Sequence, residues 1–219
     1  MKHLAQFWVG TTLISGSVFG RRQQSYRQVR EMSTEPQDVD LVKPAGRFEP
    51  TKARLHDVET TLPTYPHHLL CDALGKYPAE LNNWETKVVE TEMKRAGFMF
   101  WYRNPQQPGQ SSLGVAYLSG EQYGIVRPDF IYFATATDGS LVVDLVDPHG
   151  LHLADALPKL RGLALYADTH AGAYRRIESV AEAFGKLRVL DLKSAEVRSA
   201  IALTDDAATL FKGLLATDY

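Results

Sequence analysis

Residues 125–150 read IVRPDFIYFATATDGSLVVDLVDPHG, and this stretch decides the fold. Apolar and aromatic residues fill Ile125–Ala134 and return in Ser140–Val146, with Asp138-Gly139 between the two runs. An Asp-Gly dipeptide between runs rich in β-branched and aromatic residues is the signal of a β-hairpin. We therefore predict two adjacent antiparallel strands in this stretch.

Helical patterns flank the hairpin on both sides. From Ala79 to Gly97, apolar residues recur at spacings of three to five among four glutamates, which predicts an amphipathic helix. Further predicted elements are a helix over Leu151–Ala167, a strand over Leu187–Leu192, and helices over Ser194–Ala202 and Asp205–Leu215. This order predicts an α/β (α+β) fold, a mixed β-sheet flanked by helices, rather than a doubly wound or all-β fold.

The first third of the chain shows no sustained periodicity. Residues 1–20 predict a strand or hairpin, because the apolar run Phe7–Phe19 is interrupted by polar residues and is too short to span a bilayer. Residues 21–78 carry charges of both signs and several prolines, which predicts an irregular polar linker or arm. The predicted domain therefore covers residues 79–219.

The composition limits the compartment and the partners. The chain has 219 residues, of which 44% are hydrophobic and 23% charged, with a formal net charge of -2. Its one cysteine, Cys71, excludes an internal disulfide and a cysteine-cluster zinc site, so we expect a reducing, cytoplasmic compartment. Nucleic-acid binding normally needs a basic stripe, so we expect the protein alone to bind DNA weakly.

Three acidic residues lie where a metal-dependent phosphodiesterase needs them. Asp129 follows Pro128 at the first hairpin strand, Asp144 lies in the second, and Glu85 lies on the preceding helix. Because adjacent strands bring side chains of one face to within about 5 Å, we expect Asp129 and Asp144 to share Mg²⁺, or Mn²⁺. Such a cation lowers the pKa of a bound water and creates a nucleophile. The alternative for Glu85 is a solvated helix face, with Glu92 as its competitor for the site.

Five short phrases follow one another between Leu81 and Leu192. They are Asn83-Trp84-Glu85, Trp101-Tyr102-Arg103-Asn104-Pro105, Pro128-Asp129-Phe130-Ile131, Val142-Val143-Asp144-Leu145-Val146-Asp147-Pro148-His149-Gly150 and His152-Leu153-Ala154-Asp155-Ala156. In this order they resemble the PD-(D/E)XK nuclease core. More narrowly, they are similar to the C-terminal nuclease-like region of type III restriction Res subunits and related DEAD/DEAH-box helicases. The resemblance implies a restriction-endonuclease-like αβββαβ core that binds DNA and hydrolyses phosphodiester bonds with Mg²⁺.

The chain departs from that family at one position. The motif asks for an acid, any residue and then lysine, whereas this sequence has Asp144-Leu145-Val146. Valine neither orients a water nor offsets charge on a phosphate. Lys159 on the following helix and His149 are the candidate substitutes. Without a substitute, the resemblance implies a degenerate active site.

Two other interpretations stay open. No phosphate-binding glycine-lysine loop is present, so the chain lacks a helicase motor and is expected to dock onto a motor or a modification subunit, as a non-catalytic interaction module. Alternatively, Asp147, His149, His152 and Asp155 form a hydrolase site with zinc or manganese. The competing structural explanation is that Asp147 caps the helix start and the histidines bind backbone groups.

Overall fold

The computed structural model describes residues 52–55, 58–108, 111–151 and 154–219. The strand or hairpin predicted for residues 1–20 lies outside the described residues. The strands, in chain order, are β1 (Lys52–Leu55), β2 (Val58–Thr61), β3 (Thr64–Pro66), β4 (Lys76–Pro78), β5 (Phe98–Arg103), β6 (Val115–Ser119), β7 (Gln122–Val126), β8 (Phe130–Thr135), β9 (Leu141–Pro148), β10 (Arg176–Ala183), β11 (Lys186–Asp191) and β12 (Thr217–Asp218). The helices are α1 (Asn83–Glu92), α2 (Ala156–His170), α3 (Ala195–Leu203) and α4 (Ala207–Lys212).

A six-stranded mixed sheet forms the centre of the fold, in the order β12-β11-β10-β9-β8-β5. Strands β9 and β10 run parallel, and every other neighbouring pair in this sheet is antiparallel. Helices flank the sheet, which confirms the predicted mixed α+β fold. The elements α1, β5, β8, β9, α2 and β10 follow one another in the expected order αβββαβ, with the β6–β7 hairpin inserted after β5.

The predicted hairpin is the β8–β9 pair. Its register runs from Phe130 opposite Val146 to Thr135 opposite Leu141. At the turn, Gly139 adopts a φ of 82°, a conformation that a residue with a side chain rarely tolerates. The hairpin therefore fixes which side chains of β8 and β9 face each other.

The two faces of the sheet carry two separate apolar cores. On one face, Leu145 of β9 packs in the cluster that contains Leu160 of α2. On the other face, Val146 packs in the cluster that contains Val88 of α1. This alternation follows from the period of two along a strand. None of the helices in the described residues has both the length and the apolar character that a membrane span requires.

Strand β10 is absent from the sequence prediction. The last strand of the predicted core was assigned to Leu187–Leu192, but this segment is β11, the antiparallel neighbour of β10. The apolar pattern of a strand is interrupted in β10 by the charged residues Arg176 and Glu178. Their side chains point to the α1 side of the sheet and take part in a buried ionic cluster.

Residues 62–78, the last part of the arm predicted for residues 21–78, pack on the domain, with Leu62, His68 and Tyr77 all buried. Residues 21–51 of that arm lie outside the described residues. The ring of His68 stacks on Tyr77, and its backbone forms a parallel bridge with Trp101 of β5. This segment therefore covers the β5 edge of the sheet, because its apolar and aromatic side chains have a core to join.

Candidate functional site

The ends of β8 and β9 bring two aspartates together. The backbone N–H of Asp129 donates to Oδ1 of Asp147 at 3.2 Å. Because Phe130 pairs with Val146, the residue before Phe130 lies beside the residue after Val146. The side chain of Asp129 also accepts a hydrogen bond from Gln106 at 3.1 Å. We call Asp129, Asp147 and His149 the strand-end site.

The structure corrects the predicted partnership of Asp129 with Asp144. Asp144 lies opposite Tyr132, three residues along β8 from Asp129. It also lies three residues from Asp147 on β9, so the two carboxylates point to opposite faces of the sheet. The expected shared site on one face therefore does not form between Asp129 and Asp144.

Asp144 is instead an ion-pair residue of the interior. Its side chain is 1% exposed, and its two carboxylate oxygens accept hydrogen bonds from Arg175 and Arg176. Burial alone would raise the pKa of Asp144, but the hydrogen bonds from the two arginines outweigh it and lower the pKa. Its charge is therefore neutralised by protein groups, with no cation needed.

Glu85 takes part in the N-terminal cap of α1. Its Oε2 accepts the Asn82 backbone N–H at 2.6 Å, while the Asn82 side chain accepts from the backbone N–H groups of Trp84 and Glu85. This reciprocal arrangement is a capping box. The other oxygen, Oε1, pairs with Arg103 at 3.1 Å. Glu85 is thus buried and paired, rather than solvated or free to bind a metal.

His149 is held by its neighbour in the strand-end site. Its Nδ1 lies 3.2 Å from Oδ2 of Asp147 and 3.4 Å from Oγ of Ser179. In the tautomer with a proton on Nδ1, this nitrogen donates to the Asp147 carboxylate. Among the described residues, Nε2 is buried and has no hydrogen-bond partner. This is the geometry of an imidazole whose orientation is set by an adjacent carboxylate.

Lys159 lies on the first turns of α2. Its Nζ forms an ion pair with Asp155 at 2.7 Å, at a spacing of four residues along the helix. Its positive charge acts against the raised pKa of Asp129 without reversing it. Lys159 therefore adds positive charge beside the strand ends while its ammonium group is held by Asp155.

Burial and nearby charges determine the pKa of Asp129. Burial raises its pKa well above the usual value, and the negative charges of Asp147 and Glu85 raise it further. The positive charges of Arg103 and Lys159 act in the opposite direction and do not restore the ordinary value. A carboxyl group in this position is stabilised by protonation or by a nearby cation.

The predicted magnesium ligands do not fit a cation as a set. Asp144 is occupied by two arginines, and Glu85 by a helix cap and Arg103. Across the described ranges, no group of three or more His, Cys, Asp or Glu side chains is arranged to hold a metal. Of the alternative cluster, Asp147 and His149 do meet, Asp155 pairs with Lys159, and His152 lies outside the described residues.

The groups that hold Asp144 were not predicted from the sequence. Arg175 and Arg176 donate to it, and Arg176 also donates to Glu92 and Glu178. The adjacent arginines before a strand were the available signal, since buried acids need such partners. We call Glu92, Asp144, Glu178, Arg175 and Arg176 the ionic cluster.

Fold and site together define a mixed α+β domain with a carboxylate–imidazole pair at the ends of its central strands. A family model described as the YagJ family matches residues 66–219, and the chain belongs to this family. It is 63% identical over 217 residues to Protein YagJ of Escherichia coli strain K12, covering 99% of this chain and 89% of that protein. No solved structure matches the chain.

Proposed function

We propose that this chain is a restriction-endonuclease-like domain that binds DNA in a type III restriction or helicase-type system of the cytoplasm. The order αβββαβ and the mixed sheet support this proposal, because they are what the resemblance implies. The proposed active site is degenerate at Asp144 and Val146, since the first is paired with arginines and the second is fully buried in an apolar cluster.

The observation that carries the proposal is the contact between Asp129 and Asp147. Asp129 stands at the start of the second core strand, and the backbone hydrogen bond puts it beside a carboxylate at the end of the third. From Asp147 the chain continues through Pro148 to His149, so an imidazole follows the acid at the spacing where the family pattern has lysine. The proposed working groups are therefore Asp129, Asp147 and His149.

In this proposal the carboxylates of Asp129 and Asp147 are the ligands of a divalent cation, and the cation has no other part. Mg²⁺ or Mn²⁺ would take carboxylate oxygens. The pKa of Asp129 is raised first by burial and then by the negative charges of Asp147 and Glu85, and a cation would offset those two charges. The described residues do not provide a third acidic or histidine ligand in a metal-binding arrangement. No chemical step is therefore assigned to a cation, and its binding is the quantity to be measured.

The proposed DNA contact is weak without a partner. The net charge of -2 gives no general attraction to phosphates. Arg103 is committed to Glu85, and Lys159 to Asp155, so both would reach a phosphate only while paired. A helicase motor or a modification subunit would supply the remaining affinity.

The test measures cation binding, DNA binding and cleavage on the same variants. We compare wild type with Asp129→Asn and Asp147→Asn, and use Asp205→Asn at an exposed aspartate as the matched control. Wild type and the control should show a cation-dependent rise in melting temperature and retention of duplex DNA at low salt, and both site variants should lose the rise. Wild type that retains no DNA at low salt would contradict the proposal.

A second candidate function is a non-catalytic interaction module that docks on a helicase or modification partner. The buried Val146 and the closed ion pairs of Asp144 favour it, because they leave no hydrolytic group at the motif positions. This candidate predicts no cation-dependent change in melting temperature and no nicking of supercoiled DNA with Mg²⁺ or Mn²⁺. Plasmid nicking that Asp129→Asn abolishes would exclude it.

A further inference from the structure

The ionic cluster joins α1 to the sheet through a single shared guanidinium. Nη1 of Arg176 donates to Oε1 of Glu92 at 3.1 Å and to Oε2 of Glu178 at 3.0 Å. Its Nη2 donates to Oε2 of Glu92 and to Oδ2 of Asp144. One arginine thus serves three carboxylates, which belong to α1, β9 and β10.

The charges of the cluster are unevenly distributed between interior and surface. Glu92 and Asp144 are almost completely buried, and the side chain of Glu178 is 13% exposed. The side chains of Arg175 and Arg95, which support Asp144 and Glu92, are 33% and 39% exposed. Arg176, whose side chain is 18% exposed, is therefore the more buried arginine and the one that contacts all three carboxylates.

Charged and titratable groups lie around Glu178 on several elements. These groups are Glu92 and Arg95 of α1, Tyr132 of β8, Asp144 of β9, Arg175 and Arg176 at the start of β10, Asp191 opposite Glu178 on β11, and Tyr219 after β12. The hydroxyl of Tyr219 donates to Glu92, and the guanidinium of Arg95 lies over the Tyr219 ring. The Tyr132 hydroxyl is buried without a hydrogen-bond partner among the described residues.

We propose that Glu178 is a proton switch that sets how tightly α1 is held against the sheet. When Glu178 is protonated, Arg176 faces only the negative charges of Glu92 and Asp144. When Glu178 is ionised, a third negative charge lies beside them around one guanidinium, and the repulsion among the three carboxylates weakens the Glu92–Arg176 attachment of α1. The switch is independent of the proposed function, because it concerns the docking of a helix.

The pH range follows from the environment of Glu178. Burial raises the pKa of Glu178 to about 7; Arg176 acts against this rise, and Glu92 adds to it. A carboxyl group whose pKa is raised in the folded state stabilises that state below its unfolded pKa, near 4.5, and loses this contribution as the pH rises to the folded value. Helix α1 should therefore be held most tightly in mild acid and less tightly at pH 7 and above.

The experiment is amide hydrogen exchange of α1 from pH 5 to pH 8, corrected for intrinsic exchange rates. Wild type, Glu178→Gln and the control Glu182→Gln, at an exposed glutamate of the same strand, are compared. In wild type the opening constant at Val88 and Val89 should rise by up to about tenfold per pH unit between pH 5 and 7, and level off above pH 7. Glu182→Gln should follow wild type, and Glu178→Gln should lose most of the rise.

Two results would overturn the switch. One is an α1 opening constant in wild type that does not change between pH 5 and pH 7. The other is a pH dependence in Glu178→Gln that equals that of wild type. Should this variant fail to fold, the carboxyl carbon of Glu178 is titrated in wild type by NMR, and its midpoint must coincide with that of α1 exchange.

Discussion

The backbone amide of Asp129 and the carboxylate of Asp147 are joined by a hydrogen bond of 3.2 Å across the ends of β8 and β9. This contact identifies which aspartate of β9 lies beside Asp129. It also explains why Asp147 is the largest ionic contribution to the raised pKa of Asp129. The strand-end site therefore depends on the register of the hairpin rather than on the Asp144 motif.

Replacing Asp129 should stabilise the fold while weakening the proposed function. Burial raises the pKa of Asp129, so the ionised form is unfavourable in the native state and its cost grows as the pH rises. Asp129→Asn removes that cost, and its stability gain should be largest at pH 7 to 8 and disappear near pH 4. Urea unfolding at several pH values measures the gain, and equal stability at pH 7 would contradict the raised pKa.

Replacing Asp144 should destabilise the protein strongly. Asp144→Asn leaves Arg175 and Arg176 facing a neutral amide in the interior. Loss of one partner of a buried ion pair costs about 3 to 5 kcal/mol, reduced here because Arg175 is partly exposed. Chemical unfolding gives the loss of free energy. Asp138→Asn, at the exposed hairpin turn, serves as the control and should lose no more than about 1 kcal/mol.

Removing the cap of α1 should have a smaller effect. Asn82→Ala removes the acceptor for the backbone N–H groups of Trp84 and Glu85. Loss of such a cap costs about 1 kcal/mol, and Asn82→Ser should retain most of the stability. A loss in Asn82→Ser equal to that in Asn82→Ala, measured by thermal unfolding, would argue against the capping role.

A methyl group at Gly162 should disturb the packing of α2 on β6. A Cβ atom built at Gly162 would lie 2.4 Å from the Cβ of Tyr117 and 3.2 Å from its Cα. Because backbone must move to admit it, Gly162→Ala should lose about 1 to 3 kcal/mol despite the better helix propensity of alanine. Gly172→Ala, where no atom lies within 4 Å of the added group, should be nearly neutral in the same thermal unfolding assay.

The sequence predicted the local elements better than the contacts between them. The Asp138-Gly139 turn and the apolar spacing from Ala79 specify the β8–β9 hairpin and α1 from neighbouring residues, and both are present. The partner of Asp144 could not be predicted from neighbouring residues, because Arg176 lies 32 residues away and pairs with Asp144 only when β9 and β10 align. Arg176, Glu178 and Glu182 interrupt the apolar pattern of β10, so the sequence did not reveal that strand.

At the site, too, the contacts between strands could not be predicted from the sequence. Asp144 and Asp147 both lie in the apolar strand β9, and the sequence does not show which of them lies opposite Asp129. A change of register by one residue sends every side chain to the other face. The neighbour of Asp129 on β9 could therefore be identified only from the observed pairing of β8 with β9.

The parallel pairing of β9 with β10 has a consequence for how the chain reaches its native state. These strands cannot close as a local hairpin, since α2 must first cross between them, and the register aligns Asp144 with Arg176. Such long-range pairing forms slowly, whereas the β8–β9 hairpin closes in microseconds. Until the crossover is complete, Asp144 has no arginine beside it, so the ordering of the interior charges is expected to be a late event in refolding.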